Sequence, residues 1–204
     1  MSVTYEQFVE YFKGKNVAVI GSGSSILNRD NGRDIDLHDI VVRVNRGYPY
    51  ERYRQFVGTR TDVWAFGMAD REDLRCKFHK MFCDRKYSLY TWFDTSWIPA
   101  YLKEDPRHIT LPPTFSRAAK ARCSGVTATT GMDTLHFLIV GTEYKNISIY
   151  GMDFYKTEYW FKEEDNSIAI EYTTKVKKST HAPNAEENFL KELMQTYPNI
   201  SMIT

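Results

Sequence analysis

Asn16-Val17-Ala18-Val19-Ile20-Gly21-Ser22-Gly23-Ser24-Ser25 is the stretch on which the fold turns. A five-residue run that is almost wholly apolar, closed by glycine, reads as a strand buried on both faces of a parallel sheet. The glycines then permit a tight loop whose backbone N–H groups can approach a phosphate. A dinucleotide fingerprint would need glycine at position 26, where the chain has Ile26, and no P-loop lysine follows. From these residues alone the loop is either a ligand loop or a structural turn.

Working outward, Ile40 to Val44, Thr61 to Phe66, Lys86 to Trp92 and Asn146 to Tyr150 read as further strands. Helical patterns lie at Tyr5 to Phe12, Asp70 to Phe82 and Thr130 to Val140. A last helix has Asn184 as N-cap and Glu187 three residues on, a capping-box pattern, with Phe189, Leu190, Leu193 and Met194 on one face. Strands alternating with helices predict an α/β fold, a mostly parallel Rossmann-like sheet flanked by helices. The length fits one domain over residues 1–204. The stretch Pro99 to Ser124, with Pro106, Pro112 and Pro113, is expected to be a long loop.

Composition narrows the class. With 42% hydrophobic and 26% charged residues the chain should fold. A formal net charge of +1 gives no global field for nucleic acid, and no nucleic-acid partner is expected. No apolar run approaches the ~20 residues needed to span a bilayer. Met1 to Phe12 carries Glu6 and Glu10 and has no secretory apolar region. The expectation is a cytoplasmic chain, at most peripheral to a membrane, or one separated from an anchor. Cys76, Cys83 and Cys123 lack metal-type spacing and read as reduced thiols.

Three segments in order carry a resemblance. VAVIGSGSSI, DIDLHDIVVRVNRGYP and VGTRTD together resemble the large sialylmotif of the sialyltransferase family, glycosyltransferase family 29. ATTGMDTLHFLIV followed by ISIYGMDF resembles its small sialylmotif, and His181 with Glu186 resembles the very small motif, H-x4-E. The resemblance spans about residues 15 to 190. It implies a GT-A-like variant of the fold, a CMP-activated sugar as donor, a glycan or glycolipid as acceptor, and inverting transfer in glycan biosynthesis. Gly21, Ser22, Gly23, Asn45, Thr129, Thr130 and Gly131 would bind the donor, and His181 would be the base. The chain departs from the pattern at Ser22, where asparagine is usual, and at Asn16, which removes one half of the family's disulfide. No histidine lies between His136 and His181, so the family's phosphate-contacting histidine is missing; Tyr172 or Lys175 are the expected stand-ins.

The chemistry of the residues agrees with those roles. A histidine with an ordinary pKa of ~6.5 suits proton abstraction near neutral pH. Glu186 falls in the first turn of the last helix, where a carboxylate is favourable, and a supporting role is expected for it. The amide of Asn45 can donate and accept, as recognition of cytosine or ribose demands. Asp36 is assigned a supporting role, and His38 and Asp39 local hydrogen bonding. Asp34-Ile35-Asp36 has the D-x-D form of a metal signature. A donor with one phosphate needs no such clamp, so no metal and no cofactor are expected; hydrogen bonds and helix N-termini would stabilise the leaving CMP. Two alternatives stay open: another nucleotide sugar as donor, either a different CMP-ulosonic acid or a nucleoside diphosphate sugar, and a nucleotide-binding module without catalysis.

Overall fold

The computed structural model of the chain describes residues 2–67, 72–91, 94, 98, 100–124, 126–164 and 181–203. The strands are β1 (Asn16–Ile20), β2 (Ile40–Val44), β3 (Val63–Phe66), β4 (Tyr87–Tyr90), β5 (His108–Thr110), β6 (Asn146–Tyr150) and β7 (Ile200–Ile203). They form one sheet in the order β5-β4-β3-β2-β1-β6-β7, and every pairing is parallel. The helices are α1 (Tyr5–Glu10), α2 (Gly32–Asp36), α3 (Arg54–Val57), α4 (Glu72–Met81), α5 (Ala100–Lys103), α6 (Pro113–Arg122), α7 (Thr130–Gly141) and α8 (Pro183–Thr196).

The central strands are mostly apolar because both faces are covered. Val17, Val19, Val42, Val44, Ile147 and Ile149 face a core that includes Phe8, Phe12, Leu135 and Leu190. Ala18, Ile20, Val41 and Tyr150 face the other way, onto Ile26, Ile35, Val57 and Trp160. Arg43 is a charged exception, fully buried in β2. From β1 the chain builds outward through β2 to β5 on one side, then returns to place β6 and β7 on the other. The order therefore reverses between β1 and β6, and a crevice opens there at the strands' carboxyl ends, where ligands of such sheets bind.

Several expectations are corrected. The stretch 100–124 is not a loop: it holds α5, β5 and α6. Its prolines occupy tolerated places, Pro113 being the first residue of α6, where no N–H is needed. Ile109 and Leu111 are buried. The last helix starts at Pro183 with Ala182 as N-cap. Asn184 therefore lies inside the first turn, and Glu187 pairs with Lys156 and Lys191 instead of closing a capping box. A box does form at α1: the Thr4 hydroxyl accepts from Gln7 N–H and the Gln7 amide oxygen accepts from Thr4 N–H.

Candidate active site

A small cleft, about 80 Å³ in volume, occupies the switch point between β1 and β6, where ligands of such sheets bind. Gly21, Ser22 and Gly23 after β1, Asn45 after β2, and Gly151 to Tyr155 after β6 form its walls, with Thr129, Gly131 and Glu186.

The glycine loop is held by its neighbour strand. Gly21 N–H donates to Tyr150 O and Gly23 N–H to Gly151 O, each at 2.8 Å. A Cβ at Gly21 would lie 2.3 Å from Gly151 O, and one at Gly23 would lie 2.2 Å from Asp153 Oδ2. Gly21 is therefore required by close approach of two backbones, and Gly23 by the Asp153 side chain packed against it. The Asp153 carboxylate accepts from Ser25 N–H at 3.0 Å and from the hydroxyls of Ser25 and Thr157. Asn45 adopts a left-handed conformation, φ 52°, that its side chain tolerates. Its amide oxygen accepts from Gly67 N–H at 3.3 Å.

Thr129 caps α7, its hydroxyl oxygen accepting from Met132 N–H at 3.2 Å. The same hydroxyl donates to Glu186 Oε2 at 2.7 Å, and Thr129 N–H donates to Glu186 Oε1 at 2.9 Å. The α7 N-terminus thus faces the cleft, positive end of its dipole foremost. Thr130 turns elsewhere and does not line the cleft: a Cβ at Gly67 would meet its hydroxyl oxygen at 2.5 Å. Glu186 is 1% exposed. Burial pushes its pKa up to about 7 against the lowering effect of the Thr129 bonds.

His181 stands beside the cleft rather than in its wall. Its Nδ1 is 2.7 Å from Thr127 O. A carbonyl only accepts, so Nδ1 carries the hydrogen and the neutral ring keeps its lone pair on Nε2. The imidazole lies parallel to the Tyr155 ring, centroids 6.0 Å apart and planes 9° apart. Tyr155 does line the cleft. Burial, then the nearby Tyr159 and Glu186, push its phenol pKa up.

Residues 10–121, more than half of the chain, match the model of glycosyltransferase family 29 (sialyltransferase). The chain belongs to glycosyltransferase family 29. A 46-residue segment is 46% identical to mouse beta-galactoside alpha-2,6-sialyltransferase 1, covering 22% of this chain and only 11% of the mouse enzyme. The fold matches a mammalian sialyltransferase solved with Gal-beta-1-3GalNAc-ortho-nitrophenol, TM-score 0.61 at 15% identity, over 93% of this chain and 69% of that one. It also matches CstII from Campylobacter jejuni solved with the substrate analogue CMP-3FNeuAc, TM-score 0.59 at 18% identity, over 92% and 78%.

In this family 29 protein the acidic and basic residues of the first motif lie away from the cleft. Asp36 accepts from Thr59 N–H and hydroxyl at 2.9 and 2.7 Å and from Arg60 N–H at 3.0 Å. Arg43 donates to Arg60 O, Thr61 Oγ1 and Val57 O. Together they lock the Val57 to Thr61 turn against β2. His38 bridges Asp34 O at 2.8 Å and Ser148 Oγ at 3.0 Å. Asp39 accepts from Asn16 N–H and Nδ2 at the start of β1. Asp34 lines a separate groove with Asn146 and Ser148, at the amino ends of the strands. Tyr172 and Lys175 lie outside the described residues. Among the described residues no helix is long and apolar enough to cross a membrane.

Met152 to Tyr155, Thr157 and Tyr159 are cleft residues that the sequence reading missed. Their signal was position: Gly151-Met152-Asp153-Phe154-Tyr155 directly follows a buried strand. Phe154 and Tyr155 are both left-handed, φ 48° and 59°, which is uncommon for bulky residues and clusters at functional sites.

Proposed function

We propose that the protein transfers a sugar from a CMP-activated donor to a hydroxyl of a glycan or glycolipid, with inversion, without a metal, and with His181 as base. The observation that carries this reading is the convergence at one switch-point cleft of Gly21, Ser22, Gly23, Asn45, Thr129 and Gly131. The CMP-linked analogue bound by CstII and the glycan-like acceptor of the mammalian protein support the same assignment.

The cleft would hold the nucleotide between the glycine loop and Asn45, with its phosphate at the α7 N-terminus. His181 Nε2 takes the proton of the acceptor hydroxyl as its oxygen attacks the anomeric carbon. The bond from that carbon to the phosphate oxygen breaks, and its electron pair leaves with CMP. Backbone N–H groups of the α7 N-terminus stabilise the developing charge. Tyr155 and Tyr159 take the part of the missing phosphate-contacting histidine. The raised pKa of Tyr155 keeps its hydroxyl a donor throughout the neutral range.

The deciding experiment is calorimetric titration with CMP, CDP, UDP and GDP, followed by assay with CMP-sialic acid and a galactose-terminated acceptor. CMP should bind and sugar should be transferred. Preference for UDP or GDP would move the donor to a nucleoside diphosphate sugar. CMP binding with neither transfer nor donor hydrolysis would leave a nucleotide-binding module.

A further inference from the structure

Asp133, in the first turn of α7, and Glu186, in the first turn of α8, are 2% and 1% exposed. Thr129 links the two helices: its carbonyl accepts the main-chain N–H of Asp133 one turn on, at 2.9 Å, and the Glu186 carboxyl receives its N–H and hydroxyl. Asp133 Oδ1 is buried with no hydrogen-bond partner. Among the described residues no lysine, arginine or histidine forms an ion pair with either carboxyl. The groups that face the pair are Cys123 from the end of α6 and Tyr155 from the loop after β6. The thiol, pushed up to about 12 by burial and by both carboxyls, is neutral, and so is the phenol. His136, the next turn of α7, bonds Phe115 O. Glu187 turns to Lys156 and Lys191, and Arg122 pairs with Glu192.

A buried carboxyl with an unpartnered oxygen and no cation beside it resists ionising, the more so with a second buried carboxyl in the same region. We propose that Asp133 is a positioning residue of the cleft, a carboxylic acid that stays protonated while Glu186 carries the pair's single charge and holds Thr129 in the wall. This rests on the reading of the cleft as the CMP site. Burial first, and then Glu186, push the Asp133 carboxyl well above the usual carboxylate range. Raising the pH removes that proton, sets a second charge against Glu186, and loosens Thr129.

Infrared difference spectra of the full chain, parent against Asp133→Asn at about pH 7.5, test the protonation directly. The parent should show a protonated-carboxyl C=O stretch that the variant lacks. Absence of that band overturns the proposal whatever CMP does, and Asp133→Ser is the comparison if Asp133→Asn does not fold. CMP titrations of both proteins then test the positioning. The ratio of parent to variant Kd should be near unity at about pH 6.5 and rise severalfold as the pH is raised toward about 9. The ligand's own ionisation cancels in that ratio. A flat ratio overturns the positioning role. A present band with no CMP binding at any pH overturns the CMP site and the role that depends on it, while the protonated acid stands.

Discussion

The carboxyl group of Glu186 receives both the N–H and the hydroxyl of Thr129, at 2.9 and 2.7 Å, and so ties the first turn of α8 to the cap of α7. The clamp connects the H-x4-E segment to the Thr-Thr-Gly turn across 57 residues of sequence. Glu186→Ala leaves the Thr129 N–H without its partner in a part-buried place. A loss of about 1–3 kcal/mol in stability is expected, the usual consequence of an unsatisfied buried donor, together with weaker CMP binding. Glu186→Gln keeps an acceptor oxygen and should recover most of both. Urea melts and CMP titrations of the two variants check this; equal behaviour of Ala and Gln would contradict it.

The same group makes stability depend on pH. The Glu186 pKa is about 7 in the folded chain, above its ordinary value of 4.5. The native state therefore holds this proton more tightly than the unfolded chain, and stability falls as pH rises from the ordinary carboxylate range through about 7. Unfolding free energies measured across that window should decline in the parent and decline less in Glu186→Gln. A parent whose stability rises over the window would reverse the assignment.

The parts of the fold legible in sequence were those with one dominant physical cause. β1, β2 and β6 are buried on both faces, so their apolar runs mark them to the residue. In the segment 100–124 the prolines suggest breaks, whereas Pro113 begins a helix. The start of α8 moved for a similar reason: Asn184 looks like a cap, but Pro183 already occupies the first turn. In the cleft, Gly21 to Gly23 and Asn45 are legible because each directly follows a recognisable buried strand. Phe154 and Tyr155 were missed because two left-handed residues in an irregular segment leave no periodicity to read. The clamp between Thr129 and Glu186 is a contact at long separation, and no local pattern encodes it.

Gly21→Ala tests the close approach of the two loops. The added Cβ would sit 2.3 Å from the backbone oxygen of Gly151, which cannot swing aside like a side chain. Both loops must separate, and both line the cleft. CMP affinity should drop at least tenfold, and the melting temperature should fall as well. Gly14→Ala is the control, since a Cβ there meets nothing within 4 Å; its left-handed φ of +67° makes a modest loss of stability, about 1 kcal/mol, the only expected effect. Unchanged CMP binding in Gly21→Ala would remove the loop from the site.

Metal dependence is tested through the two aspartates. Asp34 lies in the groove at the amino ends of the strands, and Asp36 is occupied by Thr59 and Arg60. Neither faces the cleft, so transfer should continue in excess EDTA, and Asp34→Ala should transfer at near the parental rate. Asp36→Ala should instead melt earlier, because the Thr59 and Arg60 N–H groups lose their acceptor. Activity abolished by EDTA and restored by Mn²⁺ would point to a cation site and to a diphosphate donor.

His181 is the sharpest case, because its tautomer is fixed by the structure. Nδ1–H is held by Thr127 O at 2.7 Å, which directs the basic Nε2 away from that carbonyl. In the proposed mechanism a ring so oriented would act on the acceptor and contribute little to nucleotide binding. His181→Ala should therefore bind CMP about as well as the parent while turnover falls roughly 10²–10⁴-fold, the usual worth of general base catalysis. The parental rate should rise with pH as the imidazole becomes neutral, since only that form accepts a proton, and the variant should lose this limb of the profile. Tyr155→Leu removes the ring that lies parallel to the imidazole. It should lower turnover without abolishing the limb, because the base remains and only its packing is lost. Turnover largely retained in His181→Ala would take the histidine out of the mechanism. Loss of CMP binding in the same variant would place it on the phosphate instead, in the position for which Tyr155 and Tyr159 are proposed.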